Sequence, residues 1–119
     1  MPKDPIASVI MIALNGERYL SAAVDSVLSQ TFPHWELLLS DGGSQDRTAE
    51  IMREYARRDG RIRFFEHPGT NPSEARNACM AQAKGCYIAI LDSDDIALPQ
   101  RLAKQVGVLE ERPDLAGLG

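Results

Sequence analysis

Soft metal ligands are scarce in this chain, with two cysteines and two histidines among 119 residues. Two sulfurs do not complete a structural zinc site, and nothing in the spacing of Cys79 and Cys86 implies a disulfide framework. Both read as buried, reduced thiols. His34 and His67 share no ligand spacing and read as surface residues. Basic charge is short too: Lys and Arg number 13 against 17 Asp and Glu, for a formal net charge of −4. That balance argues against affinity built on phosphate-backbone contacts, so no nucleic acid is expected as a partner. No apolar run approaches the about 18 residues of a bilayer span, and the N-terminus lacks a signal-peptide core. A cytoplasmic place is expected, with peripheral attachment at the inner membrane face as its variant. Repeats and low-complexity tracts are missing as well. What is present is 44% hydrophobic and 25% charged residues, enough for one globular domain or part of a larger one.

The apolar spacing alternates between two periods. Ala7 to Leu14 is a continuous apolar run with β-branched residues, the mark of a strand covered on both faces. Tyr19, Leu20, Ala23, Val24, Val27 and Leu28 recur at helical spacing up to a stop near "QTFP". Trp35–Ser40 reads as a second strand, and Ile51, Met52, Tyr55 and Ala56 as a second helix closed by Asp59-Gly60. Arg61–Glu66 is a third, half-exposed strand. A helix is expected from Ser73 to Lys84, with Gly85 as its C-cap. "CYIAIL" is a fourth strand, Pro99 opens a helix through Leu102, Val106 and Leu109 to Glu111, and "LAGLG" starts a fifth strand. Strands alternating with helices imply a mostly parallel sheet with helices on both faces.

In such sheets ligands bind beyond the carboxyl ends of the strands, at a switch point in strand order. The polar clusters of this chain fall there. Asn15 and Glu17 follow the first strand, "SDGGSQD" the second, and Asp92, Ser93, Asp94 and Asp95 the fourth. Each has a bland reading. Asn15-Gly16 is an ordinary turn signal, Ser44 or Asp46 suits an N-cap, and Asp95 suits a short helical turn. Capping does not account for Asp41, which ends its strand just before two glycines that let a ligand approach the backbone. Nor does it account for four aspartates at one edge, since close carboxylates repel by about 1 to a few kcal/mol per pair. A hard divalent cation compensates such charge, and carboxylate oxygens suit magnesium or manganese. The spacing D-x-D is a weak signal alone; its place after a buried strand strengthens it.

Taken together, "ASVIMIALNGERYLSAAVDSVLSQTF", "WELLLSDGGSQDRTAEIMREYARRDGRIRF", "EARNACMAQAKGCYIAILDSDDIALPQRL" and "PDLAGLG" resemble the N-terminal half of the family-two inverting glycosyltransferases. The resemblance covers nearly the whole chain and implies a Rossmann-like fold of type A, truncated. Residues 1–119 would be the nucleotide-sugar-binding part, without the acceptor half. By the resemblance, Asp41 reads the base of a nucleoside-diphosphate sugar, with a UDP-sugar as the expected donor. Asp92 and Ser93 lie on its ribose or sugar side, Asp94 binds Mn2+ or Mg2+ on the diphosphate, Glu17 sits near the base, and Arg76 lies near the donor. Ala13, Leu14 and Asn15 occupy the loop that meets the base. The bland reading of Arg76 is a solvent-facing helix arginine.

The departures are specific. The family usually has Pro-Thr-Tyr-Asn where this chain has Ile12-Ala13-Leu14-Asn15, so a threonine hydroxyl and a tyrosine ring against the base are missing. The acidic residue usual beside Asp41 is Gly42. Altered base recognition follows.

The implied chemistry is metal-assisted sugar transfer to a sugar, glycan or lipid-linked acceptor, with inversion. Its general base is expected beyond Gly119, and none is assigned here. A non-catalytic nucleotide-sugar-binding module is the alternative. A bare sheet edge at the fifth strand would favour self-association. Two other α/β classes fit poorly. A dehydrogenase needs G-x-G-x-x-G where this chain has "ALNGER", and a phospho-acceptor domain needs a lone aspartate after its third strand, where this chain has Glu66-His67.

Overall fold

The computed structural model describes residues 5–111. Four strands alternate with four helices: β1 (Ala7–Ala13), α1 (Glu17–Leu28), β2 (Trp35–Asp41), α2 (Thr48–Arg58), β3 (Ile62–Glu66), α3 (Pro72–Gln82), β4 (Tyr87–Ile90) and α4 (Arg101–Glu111). All three strand pairings are parallel, and the sheet order is β3-β2-β1-β4. The chain steps outward from β1 to β3, then returns to the far side of β1 for β4. The reversal therefore falls between β1 and β4, where a parallel sheet opens a crevice at its carboxyl edge.

β1 and β2 occupy the centre because their side chains are apolar on both faces. Val9, Met11, Leu37 and Leu39 pack with Leu20, Val24 and Val27 of α1, Met52 of α2, and Leu102 and Val106 of α4. Ile10 and Leu38 point the other way, onto Cys79 of α3. Three helices thus cover one face and α3 the other. Each fully buried Leu, Ile or Val contributes about 1.5–3 kcal/mol by leaving water.

Several local expectations are corrected. α3 begins at Pro72, not Ser73, because Asn71 caps it: its side chain accepts the Glu74 N–H while the Glu74 carboxylate accepts the Asn71 N–H. The helix ends at Gln82, and its C-cap is Ala83 in extended backbone. Gly85 is needed for another reason. A Cβ there would stand 2.6 Å from Ser8 Oγ and 2.8 Å from Ser8 N, so this turn must be bare to approach β1. Pro99 lies before α4, which starts at Arg101. Cys79 is buried as expected, but Cys86 is exposed, since it precedes β4 at the sheet margin. The fifth strand falls outside the described residues. Among those described, no helix is long and apolar enough to cross a membrane.

Candidate functional site at the carboxyl edge

The clusters after β1 and β2 form one interlocked shelf. Asn15 takes a left-handed backbone (φ 52°), which Asn tolerates better than most residues. Its N–H donates to Ser44 Oγ (2.7 Å), and its own Oδ1 accepts the Gln45 N–H (2.8 Å). Next along, the Gly16 N–H donates to Thr48 Oγ1 (2.8 Å) and the Glu17 N–H to Asp46 Oδ2 (3.2 Å). These bonds satisfy N–H groups at the start of α1 with side chains from the β2–α2 loop and the first residue of α2. Asp46 also accepts the Thr48 N–H (2.9 Å) and the Thr48 hydroxyl. The Thr48 hydroxyl foremost, then the Thr48 and Glu17 N–H groups, hold the Asp46 carboxyl below the usual carboxylate range despite some desolvation. Ser44 and Asp46 therefore lock two loops together, and neither is the formal N-cap of α2, which is Arg47.

Asp41 ends β2 beside this shelf, 5% exposed, opposite Ala13 in the strand register. Its carboxylate accepts the N–H of Gly43 (3.2 Å) and of Ser44 (3.2 and 3.3 Å). An ionised carboxylate has about four acceptor positions, so Asp41 retains capacity for a ligand donor. Gly43 turns at φ 98°, which only glycine adopts freely. Leu14 is 61% exposed and lies over Gly42, where a Cβ would stand 3.7 Å from Leu14 Cβ and Cδ1. Ala13 behaves differently: its side chain is buried, and it contributes a carbonyl that accepts the Gly42 N–H (2.9 Å). Glu17 is exposed at the first turn of α1.

Across the crevice, the β4 ladder runs on through Leu91, whose N–H donates to Ile10 O (3.0 Å), and then breaks into the acidic turn. The Asp95 N–H closes that turn on Asp92 O (3.0 Å). Ser93 is half-buried and faces Gly16, where a Cβ would stand 3.6 Å from Ser93 Oγ. Asp92, Asp94 and Asp95 are exposed, and each offers a carboxylate oxygen within 4.8 Å of the others. None of the three belongs to any ion pair among the described residues. All-oxygen donors at that separation fit a hard divalent cation of the magnesium or manganese kind, with open positions for phosphate or water. Asp95, counted with the other aspartates of this edge from sequence but not assigned as a metal ligand, stands with Asp92 and Asp94.

Two further residues need comment. Arg76 is half-buried on α3, and its Nε is buried without a hydrogen-bond partner among the described residues. It joins none of the ion pairs there, so the simple picture of a solvated arginine does not describe it. His67 corrects the surface reading. It is half-buried, stacks on Phe65 (centroids 6.1 Å apart) and places Nδ1 2.6 Å from Ser40 Oγ, one residue before Asp41. Lone histidine spacing carries no signal for a contact of that kind. His34 is half-buried against Phe32 at the amino edge, where its carbonyl accepts the Ile6 N–H (2.8 Å).

A broad cleft of about 620 Å³ lies at the opposite, amino edge, lined by Trp35, Glu36, Asp59, Arg61, Arg63 and Lys84 among others. Its carboxylates are already engaged. Asp59 pairs with Arg61 (2.9 Å), which also lies 3.8 Å over the Trp35 ring. Glu36, 4% exposed, accepts the Ser8 hydroxyl (2.7 Å), the Lys84 N–H (2.6 Å) and Arg63 Nη1 (3.1 Å). Burial alone would raise its carboxyl, but those three donors together hold it below the ordinary glutamate value. That edge is built for stability.

The chain is similar to several known proteins. Residues 8–119 match the model of glycosyl transferase family 2. The putative glycosyltransferase EpsE of Bacillus subtilis (strain 168) is 41% identical over 113 residues, covering 93% of this chain and 41% of that protein. The Escherichia coli UDP-Glc:alpha-D-GlcNAc-diphosphoundecaprenol beta-1,3-glucosyltransferase WfgD is 37% identical over 107 residues, 89% of this chain and 42% of that one. The chain thus spans about two fifths of the length of these curated relatives. The crystal structure of S. aureus TarS 1-349 in complex with UDP-GlcNAc superposes with a TM-score of 0.82 at 26% identity, over 91% of this chain and 32% of that one. With its parallel sheet, its crevice between β1 and β4 and a family match over almost its whole length, this chain belongs to glycosyl transferase family 2.

Proposed function

We propose that residues 1–119 form the donor-binding part of a glycosyltransferase that moves a sugar from a nucleoside diphosphate, UDP by expectation, to a sugar, glycan or lipid-linked acceptor with inversion. The observation that carries this reading is the meeting of two groups across one crevice: the shelf around Asp41 and the unpaired carboxylates of Asp92, Asp94 and Asp95. Asp41 accepts a donor from the base, Leu14 and Asn15 border it, and Glu17 stands at its rim. Asp92 and Ser93 face the ribose and sugar. Asp94, with Asp95 beside it, would hold Mn2+ or Mg2+, and Arg76 would bring a guanidinium towards the diphosphate. A divalent ion bound there supplies Lewis-acid stabilisation of the charge that grows on the departing phosphate.

The names of two relatives support a uridine donor, since the E. coli protein is a UDP-Glc transferase and TarS was crystallised with UDP-GlcNAc. The base site here is aliphatic at Leu14 and lacks the family's second acid at Gly42, so recognition of the base rests mainly on Asp41. No residue of this chain is assigned as general base. Calorimetry of UDP binding with and without Mn2+ tests the reading. Metal-dependent binding by the wild type that is lost in Asp94→Ala supports it; equal affinity in the two chains overturns the metal assignment. Sugar transfer by residues 1–119 alone would overturn the restriction to donor binding.

A further inference from the structure

The segment that carries the acidic carboxylates has almost no apolar anchorage. From Asp92 to Gln100 only Ala97 is buried, and its neighbours Ile96 and Leu98 are 67% and 73% exposed. A loop of mutually repelling carboxylates, so thinly packed, should spread into solvent unless something else fixes it.

Buried polar atoms around the end of α1 do so. Ser26 Oγ donates to Ala23 O (2.6 Å) and accepts the Ala97 N–H (3.0 Å). Gln30 Nε2 donates to Leu98 O (2.7 Å) and to Ser26 O (3.1 Å), while its Oε1 accepts the Leu102 N–H (3.0 Å) in the first turn of α4. The Thr31 N–H adds a bond to Pro99 O (2.8 Å), and Arg101 Nη2 reaches Ile90 O (3.1 Å), tying the far end of the segment back to β4. Ser26 and Gln30 are 9% and 8% exposed, so these bonds form out of water, where leaving a partner unmade is most costly. Only a side-chain amide supplies the donors and acceptor that Gln30 uses; glutamate would set an acceptor against Leu98 O, and methionine would offer nothing to Leu98 O or to the Leu102 N–H.

We infer that Ser26 and Gln30 are positioning residues for the acidic turn. By fixing the backbone at residues 97, 98 and 102 they hold the carboxylates of Asp92, Asp94 and Asp95 within reach of one another and so set the affinity of that turn for a divalent cation. The cation half of this inference rests on the donor-site reading above.

The test uses the 119-residue chain, with Mn2+ alone as probe, and compares Gln30→Glu, Gln30→Met and Ser26→Ala. Hydrogen exchange by mass spectrometry follows peptides spanning residues 92–98, and electron paramagnetic resonance of free Mn2+ follows binding. Exchange in that segment should rise at least tenfold in Gln30→Glu while β1 and β2 keep their protection, and Mn2+ affinity should fall tenfold or more. Ser26→Ala, which deletes a single hydroxyl and is the safest to fold, should shift both readouts in the same direction by less. Unchanged protection of residues 92–98 overturns the inference. So does raised exchange with unchanged Mn2+ affinity, provided Asp94→Ala loses the ion. If Asp94→Ala binds Mn2+ like the wild type, the donor-site reading fails with the cation half of this inference, and the exchange data alone decide whether the loop is clamped.

Discussion

At the amino edge of the sheet, Glu36 is buried and receives a hydroxyl, a backbone N–H and a guanidinium. At the carboxyl edge, Asp92, Asp94 and Asp95 crowd together, exposed and in no ion pair among the described residues. The same functional group meets two opposite environments within one small sheet. A carboxylate buried among three donors from the chain is held by the fold and serves stability. Carboxylates left unpaired beside one another raise the energy of the empty site and so favour whatever neutralises them. The broad cleft is lined by carboxylates engaged with the chain itself, while the unpaired carboxylates lie at the other edge.

Breaking the buried side of this contrast should have the largest effect. Glu36→Ala strands Arg63 and the Lys84 N–H, and should cost about 3 kcal/mol in a chemical denaturation series. Because the Glu36 carboxyl is held below its unfolded value, its contribution is present above about pH 4.5 and is lost as pH falls through the lower folded value. The wild type should therefore lose stability on acidification more steeply than Glu36→Gln, measured by denaturant midpoints between neutral and acid pH. Parallel curves would remove Glu36 from that role.

Asp94→Ala should do the reverse. Its midpoint should move by less than about 0.5 kcal/mol, as for other exposed loop positions, while UDP affinity in Mn2+ drops at least about tenfold, about 1.4 kcal/mol. A large loss of stability would mean the acidic turn is part of the fold's support. Leu14→Tyr sharpens the base site from the other direction. The exposed side chain over Gly42 becomes a ring, and base stacking contributes about 1–3 kcal/mol in comparable sites. Tighter UDP binding is expected, and no change would mean that Leu14 does not border the base. Ala13 is left alone because its buried side chain makes no contact with solvent. The smallest effect belongs to the ion pairs on the outer face of α2: Arg58→Ala, which breaks a 3.2 Å exposed pair with Glu54, should change stability by under about 0.5 kcal/mol.

Much of the architecture was legible from periodicity. A continuous apolar run marked β1 as covered on both faces, and the helices α1 and α2 follow from spacing of Leu20, Val24, Val27 and Met52. Asp41, Asp92 and Asp94 were legible as site candidates because a βα unit places the residue after a strand at the carboxyl edge whatever the rest of the fold does. Gly85 and His67 were misjudged, each for want of a contact that no local pattern records. The helix-cap rule suited Gly85 until Ser8 proved to lie against it, and His67 looked unattached until Ser40 proved to be its partner.

The sequence by itself determined the strand-helix alternation, the side of the sheet on which the aspartates gather and the family the chain resembles, because those depend on direction and period along a single stretch of backbone. The tertiary structure alone decided which polar groups are spent on the fold. Asn15 is bonded to Ser44 and Gln45 across 29 and 30 residues, Glu36 to Lys84 across 48, and Gln30 to Leu102 across 72. Partners so distant are chosen by how the helices settle on the sheet, since a hydrogen bond forms only within about 3 Å and nothing in local composition encodes that distance.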